Sequence, residues 1–154
     1  MDTTSAKKLW NHFLEKHTEF TSQNFPSTGY FGDNETDANI LVNLVSNNVK
    51  RATSHSLLGL QLRKEAIPKI GDFFIVTDWK NNAKCIVRTI AVKLVPFFSI
   101  NEEHARIEGE GDKSLAYWKK VHWDYYTREL EPFTRTPKES MIVVFEQFEL
   151  VHKE

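Results

Sequence analysis

Glu108, Glu110 and Asp112 alternate with Gly109 and Gly111 in the run HARIEGEGDKSLAYWKKVHW, residues 104–123, which concentrates more chemically capable side chains than any other stretch of the chain. Three carboxylates this close raise one another's pKa unless a cation or a hydrogen-bond donor sits among them. Two readings of the run stand side by side. In one, the glycines end a helix, Asp112 caps the next helix and Glu110 faces water. In the other, a carboxylate faces a pocket and meets a lysine or hydroxyl from elsewhere. Lys50-Arg51-Ala52-Thr53 is the basic and hydroxyl cluster that directly follows a helix end, a rim position where functional groups sit on a rigid scaffold. Solvated charges guarding an edge strand would give the same pattern.

The elements that must position these groups follow from periodicity. Ser99 and Glu102 have the spacing of a capping box, so a helix is expected to start near Ile100. Gly109 and Gly111 accept positive φ, which lets the chain stop, turn and restart from Asp112. Leu9, Trp10, Phe13, Leu14 and His17 predict an amphipathic helix over about 5–20. Residues 21–33 read as a loop, and a second helix runs from a cap at Asp33 or Asn34 to Ser46-Asn47-Asn48. Residues 49–56 suggest a rim strand with Lys50 at its start, and 57–66 a short helix. Two β-branched runs, 72–77 and 83–95, read as strands joined through Trp79-Lys80-Asn81-Asn82, with 141–152 as a closing strand. Together these predict one α+β domain over 1–154, a small mixed β-barrel with helices packed around its mouth.

Composition narrows the partners. The 154 residues carry 20 Lys and Arg against 21 Asp and Glu, so no global basic field attracts nucleic acid, and any polyanion contact must be local. Cys85 has no partner cysteine and reads as a small packed hydrophobe, in keeping with a reducing cytoplasm. No apolar run approaches the ~20 residues of a membrane span, and MDTTSAKKLW lacks a signal peptide's apolar core. No dinucleotide, P-loop or zincin motif occurs, and neither a metal nor a cofactor is expected. Trp118, Trp123, Tyr125, Tyr126 and Arg128 offer planes for base stacking, although Leu115, Trp118, Val121 and Tyr125 form a stripe that should pack inward. Trp79, at a hairpin tip beside Lys80, is the better candidate for exposed stacking. His104 and His122 are expected to pack between helices.

In order along the chain, Phe31-Gly32-Asp33, Lys50-Arg51-Ala52-Thr53, Pro68 to Asp72, Cys85 to Thr89, Val95-Pro96-Phe97, Glu108 to Trp118, His122-Trp123 and Thr127-Arg128-Glu129 resemble an ASCH domain. More narrowly, they resemble larger bacterial members with an EGEGD-SLAYW signature. That resemblance implies a PUA-like barrel associated with RNA recognition, binding single-stranded RNA or a modified nucleoside rather than DNA. Smaller members include an amidohydrolase acting on N4-acetylcytidine, whose catalytic lysine, threonine and glutamate match Lys50, Thr53 and Glu108. Others are linked to ribonuclease activity on single-stranded RNA, and a non-catalytic binding module is a further alternative. Arg51, His55, Glu110, Asp112, Trp79 and Arg128 are the expected substrate contacts. His55 stands where the small amidohydrolases carry an arginine. A direct Lys50–Glu108 ion pair would oppose the roles of lysine as base and glutamate as acid, and would make Lys50 an anchor or electrostatic stabiliser.

Overall fold

Two long antiparallel strands, β4 (Ala83–Pro96) and β5 (Ile142–Lys153), carry the architecture of the computed structural model, which describes residues 3–154. Their pairing slips in register at Ile86/Val87 and at Thr89/Ala91, and such bulges bend and twist a sheet. Around this spine lie β1 (Ser27–Gly29), β2 (Ala52–Ser56) and β3 (Phe73–Thr77), in the order β1-β3-β4-β5-β2. All pairs are antiparallel except β1 with β3. The result is the expected α+β architecture, in the form of a curled five-stranded half-barrel.

Helices cover both faces of the sheet. From α1 (Thr4–Lys16), Leu9, Trp10 and Phe13 pack on Ile75, Ala83 and Ile86. On the opposite face, Val42 and Val45 of α2 (Glu35–Ser46) meet Val76, Cys85, Val87 and Phe148. Cys85 is buried there as the small hydrophobe its neighbours predict. The short α3 (Leu57–Leu62) follows β2 directly. A third cluster joins Ala105 of α4 (Glu102–Glu108) and Trp118 and Tyr126 of α5 (Leu115–Leu130) to Phe97, Ile100 and Val143.

Several boundaries differ from the sequence reading for local reasons. Phe97–Ser99 forms a 3-10 turn, because Phe97 is buried and its amide bonds Met141 O at 2.8 Å. The helix cap therefore moves to Asn101, which exchanges bonds with His104 in place of the Ser99–Glu102 pair. Helix α5 is capped by Ser114, whose own amide is held at 2.8 Å by Asp112. Segment 21–33 contains β1, whose backbone pairing with β3 leaves little hydrophobic signature in Ser-Thr-Gly. Helix α1 ends at Lys16, with a 3-10 turn over Thr18–Phe20 completing the expected 5–20 region.

Candidate functional site

Backbone contact between two distant turns builds the site. Gly109 ends α4 in the left-handed region at φ 73°, and a Cβ there would lie 2.2 Å from the Val49 carbonyl oxygen. The Arg51 amide donates to Ile107 O at 3.0 Å, locking the entry to β2 against the end of α4. Lys50, which follows Asn48 at φ 60°, is thereby placed beside Glu108 and Glu110.

Glu108 is the hub of the network. It is fully buried and accepts from Ser54 Oγ (2.6 Å), Trp118 Nε1 (2.8 Å) and His122 Nε2 (2.9 Å), with Lys50 Nζ at 3.4 Å. Lys50, equally buried, donates to Ala52 O and to Glu110 Oε2, both at 2.7 Å, and lies 5.1 Å from the centre of the Phe31 ring. The second His122 nitrogen, Nδ1, meets Trp118 O at 2.8 Å, and the His122 and Trp118 rings stack at 3.9 Å. Tyr126 closes the back of the site by donating to Ser54 O at 3.0 Å.

Such a network holds its members charged. Burial alone would neutralise Glu108, but His122, Lys50 and the hydrogen-bond donors outweigh it and hold the carboxyl below its ordinary value. Burial likewise opposes charge on Lys50, yet Glu110 and Glu108 raise its pKa. His122 is raised against burial chiefly by Glu108. Ligand atoms of Glu108, Glu110 and His122 all lie within 4.8 Å of one another, a spacing suited to a metal ion. The Lys50 ammonium already supplies positive charge beside both carboxylates.

This network forms one wall of a cavity of about 460 Å³ bounded by α2, β2 and α5, with Tyr30, Phe31, Tyr117 and Tyr125 among its apolar lining. A second cavity, of about 560 Å³, lies over the face of the sheet that carries Thr89 and Glu146. The two share Phe31, Thr53, His55, Arg63, Glu65 and Phe74, and so form two lobes of one cleft around the edge strand β2.

The structure brings Lys50, Thr53, His55, Glu108, Glu110 and Arg128 to this cleft. Strand alternation, however, turns Thr53 and His55 to the face opposite Ser54, and it is Ser54 that bonds Glu108. Arg128 sits at the rim, bonded to Asp33 at 2.7 and 3.2 Å. Three expected contacts lie outside the lining: Arg51, whose backbone serves the β2 junction, Asp112, which holds the Ser114 amide, and Trp79, which folds onto Tyr30 with ring centres 4.7 Å apart. Tyr30 does line the cleft, so Trp79 reaches it through that ring. Sequence reasoning missed Ser54, offered Tyr126 as a stacking plane although it is fully buried with its hydroxyl on Ser54 O, and assigned His122 to packing. The buried stripe on α5 is Trp118, His122, Tyr126 and Leu130, a four-residue spacing that was available as a signal.

Two solved bacterial structures are similar to the chain over almost all of its length. The ASCH domain of Lactobacillus crispatus JV V101 has 28% identity and a TM-score of 0.91, covering 99% of this chain and 96% of its own. Protein EF3133 of Enterococcus faecalis V583 has 29% identity and a TM-score of 0.90, covering 99% and 91%. No curated protein matches the chain. The family model described as ASCH domain matches residues 27–152, which include every residue of the buried network, and the chain belongs to the ASCH domain family.

Proposed function

We propose that the cleft captures a neutral nucleoside, modified nucleosides such as N4-acetylcytidine above all, a compound on which smaller members of the ASCH family act. The charge of the lining carries this reading. Asp37, Glu65, Glu108, Glu110 and Glu129 face Lys50, Arg63 and Arg128, so acids outnumber cations even with His122 protonated. Each cation is already engaged: Lys50 by Glu108 and Glu110, Arg63 by Glu65 and Glu129, and Arg128 by Asp33. A phosphate entering this space meets carboxylates without a free guanidinium or ammonium to pair with, which disfavours the RNA backbone and a nucleotide alike. A base instead finds aromatic faces on Tyr30, Phe31 and Tyr125, with Glu110 and Thr53 available to its polar edge.

Lys50 acts here as an anchor. Its raised pKa and its carboxylate partners leave it no lone pair with which to activate Thr53, so amide hydrolysis through a lysine base ranks behind binding. The protein is expected to work as a single domain in the cytoplasm, where Cys85 stays reduced.

Isothermal titration calorimetry with cytidine, N4-acetylcytidine, cytidine 5'-monophosphate and a short single-stranded RNA, at two salt concentrations, tests the reading. The nucleosides should bind with little salt dependence and the monophosphate more weakly. Tight, steeply salt-dependent RNA binding without nucleoside binding would replace it with a polyanion interface.

A further inference from the structure

We infer that the cleft holds most tightly a nucleoside whose base carries a positive charge, the class made by alkylating a ring nitrogen of adenine or cytosine. The inference rests on the proposed nucleoside-binding reading and adds to it the charge of the preferred base. An uncharged nucleoside enters the cleft, and a cationic one is held better.

Charge is spread unevenly over this molecule. The whole chain nearly balances, with 20 Lys and Arg against 21 Asp and Glu. The cleft does not. Asp72 and Glu146 of the second lobe join the five carboxylates of the first, and the two lobes together offset them with Lys50, Arg63 and Arg128. The carboxylates stay in excess even with His55 and His122 both protonated, and Arg128 is further neutralised by Asp33 from outside the lining. A concave site lined by one sign of charge focuses its field and draws in the opposite sign. The excess that turns a phosphate away is the same excess that attracts a cation.

Two of these carboxylates have an oxygen to spare. Glu110 gives Oε2 to Lys50 and, with its side chain 13% exposed, keeps Oε1 free of any partner among the described residues. Glu129 gives Oε2 to Arg63 Nη1 at 2.9 Å, while its Oε1 is buried without a hydrogen-bond partner, packed so close to Gly59 that a Cβ there would lie 2.7 Å away. Burial raises the Glu129 carboxyl above its ordinary value against the opposing pull of Arg63, which marks a carboxylate short of positive charge.

The aromatic walls suit the same ligand. Two rings of the cleft already carry a cation: Lys50 Nζ lies 5.1 Å from the centre of Phe31, and the Arg128 guanidinium carbon 5.9 Å from that of Tyr125. Tyr30 and Tyr117, 36% and 38% exposed, keep ring surface uncovered in the lining of the first lobe. A flat base with delocalised positive charge gains a cation–π attraction on such faces, in addition to the stacking open to a neutral base.

Calorimetry with matched pairs of methylated nucleosides separates charge from size. 1-Methyladenosine and 3-methylcytidine are cations at neutral pH, whereas N6-methyladenosine and 5-methylcytidine place the same methyl group on an uncharged base. The charged member of each pair should bind about tenfold tighter, within the range of a cation–π contact, and the ratio should shrink as salt is raised. Glu110→Gln and Glu129→Gln each remove one negative charge with little change of shape and should lower the ratio several-fold. Both members of a pair are measured on the same variant, so a change in its stability does not enter the ratio. Equal or reversed affinities within the pairs, or ratios that neither variant moves, overturn the inference and leave the nucleoside-binding reading standing. Failure of all four compounds, of cytidine and of N4-acetylcytidine to bind overturns that reading, and the inference with it.

Discussion

Lys50 donates to Glu110 at 2.7 Å and approaches Glu108 only to 3.4 Å, so the acid on the solvent side of the hinge holds the lysine more closely than the buried one. Glu108 meanwhile is satisfied by Ser54, Trp118 and His122. Removing the lysine leaves Glu108 buried beside a second carboxylate with less positive charge to balance it. Lys50→Met should therefore destabilise the fold by about 3–5 kcal/mol, the cost of breaking a buried ion pair, and Glu110→Gln by clearly less. Urea denaturation of the two variants checks the ranking, and equal losses would mean that Glu110 is as embedded as Glu108.

The double-glycine hinge is two unlike glycines. At Gly109 an added Cβ would lie 2.2 Å from the Val49 carbonyl oxygen, a backbone atom fixed by the β2 junction. At Gly111 it would lie 2.3 Å from the ring of Tyr117, which is 38% exposed and can swing aside. Both sit at positive φ, which costs a substituted residue roughly 1–2 kcal/mol. Gly111→Ala should show about that loss and Gly109→Ala considerably more, with the network around Lys50 disturbed. Comparing their melting temperatures decides it.

Ser54 and Thr53 are neighbours with opposite duties. Ser54 is buried and donates to Glu108 at 2.6 Å, whereas Thr53 lines the cleft from the other face of the strand. Ser54→Ala should cost about 1–3 kcal/mol by leaving Glu108 one donor short. Thr53→Ala should leave stability nearly unchanged and weaken nucleoside binding. A single series of unfolding curves and titrations separates the two, and the opposite pattern would reassign the hydroxyls.

How much of this was legible in the sequence depended on whether the signal was local. The strands rich in Val, Ile and Phe and the helix stripe through Leu9, Trp10 and Phe13 carry their own periodicity, and they form where expected. Strand β1 does not, because Ser27–Gly29 is held by backbone bonds to β3 rather than by its side chains. The Lys50–Glu108 meeting was anticipated from motif order. The choice of Ser54 over Thr53 was not, since it turns on which face of β2 looks toward α4. His122 shows the same limit: a histidine on an apolar helix stripe reads as packing until the glutamate opposite it is known.

Opposed titrations in the Glu108–His122 pair should give the protein a stability maximum in mildly acid solution. Glu108 is held below its ordinary value by His122 and Lys50 against the opposing effect of burial. Its contribution is therefore complete above ~4.3, the ordinary glutamate pKa, and is lost as pH falls through the lower folded value. His122 is shifted the other way, raised by Glu108 against burial. Its contribution is fully present below ~6.5, the ordinary histidine pKa, and disappears as pH rises through the raised folded value. Between about pH 4.3 and 6.5 both contributions coincide. Urea unfolding from pH 3 to 9 should show stability declining on either side of that window. His122 also shifts Glu108, but that carboxyl titrates at the acid end, so on the alkaline side the difference between wild type and His122→Gln isolates the histidine limb. That difference should shrink as pH climbs past the raised histidine value. A difference that stays constant across the range would mean that the imidazole is neutral in the folded protein and that Lys50 alone balances Glu108.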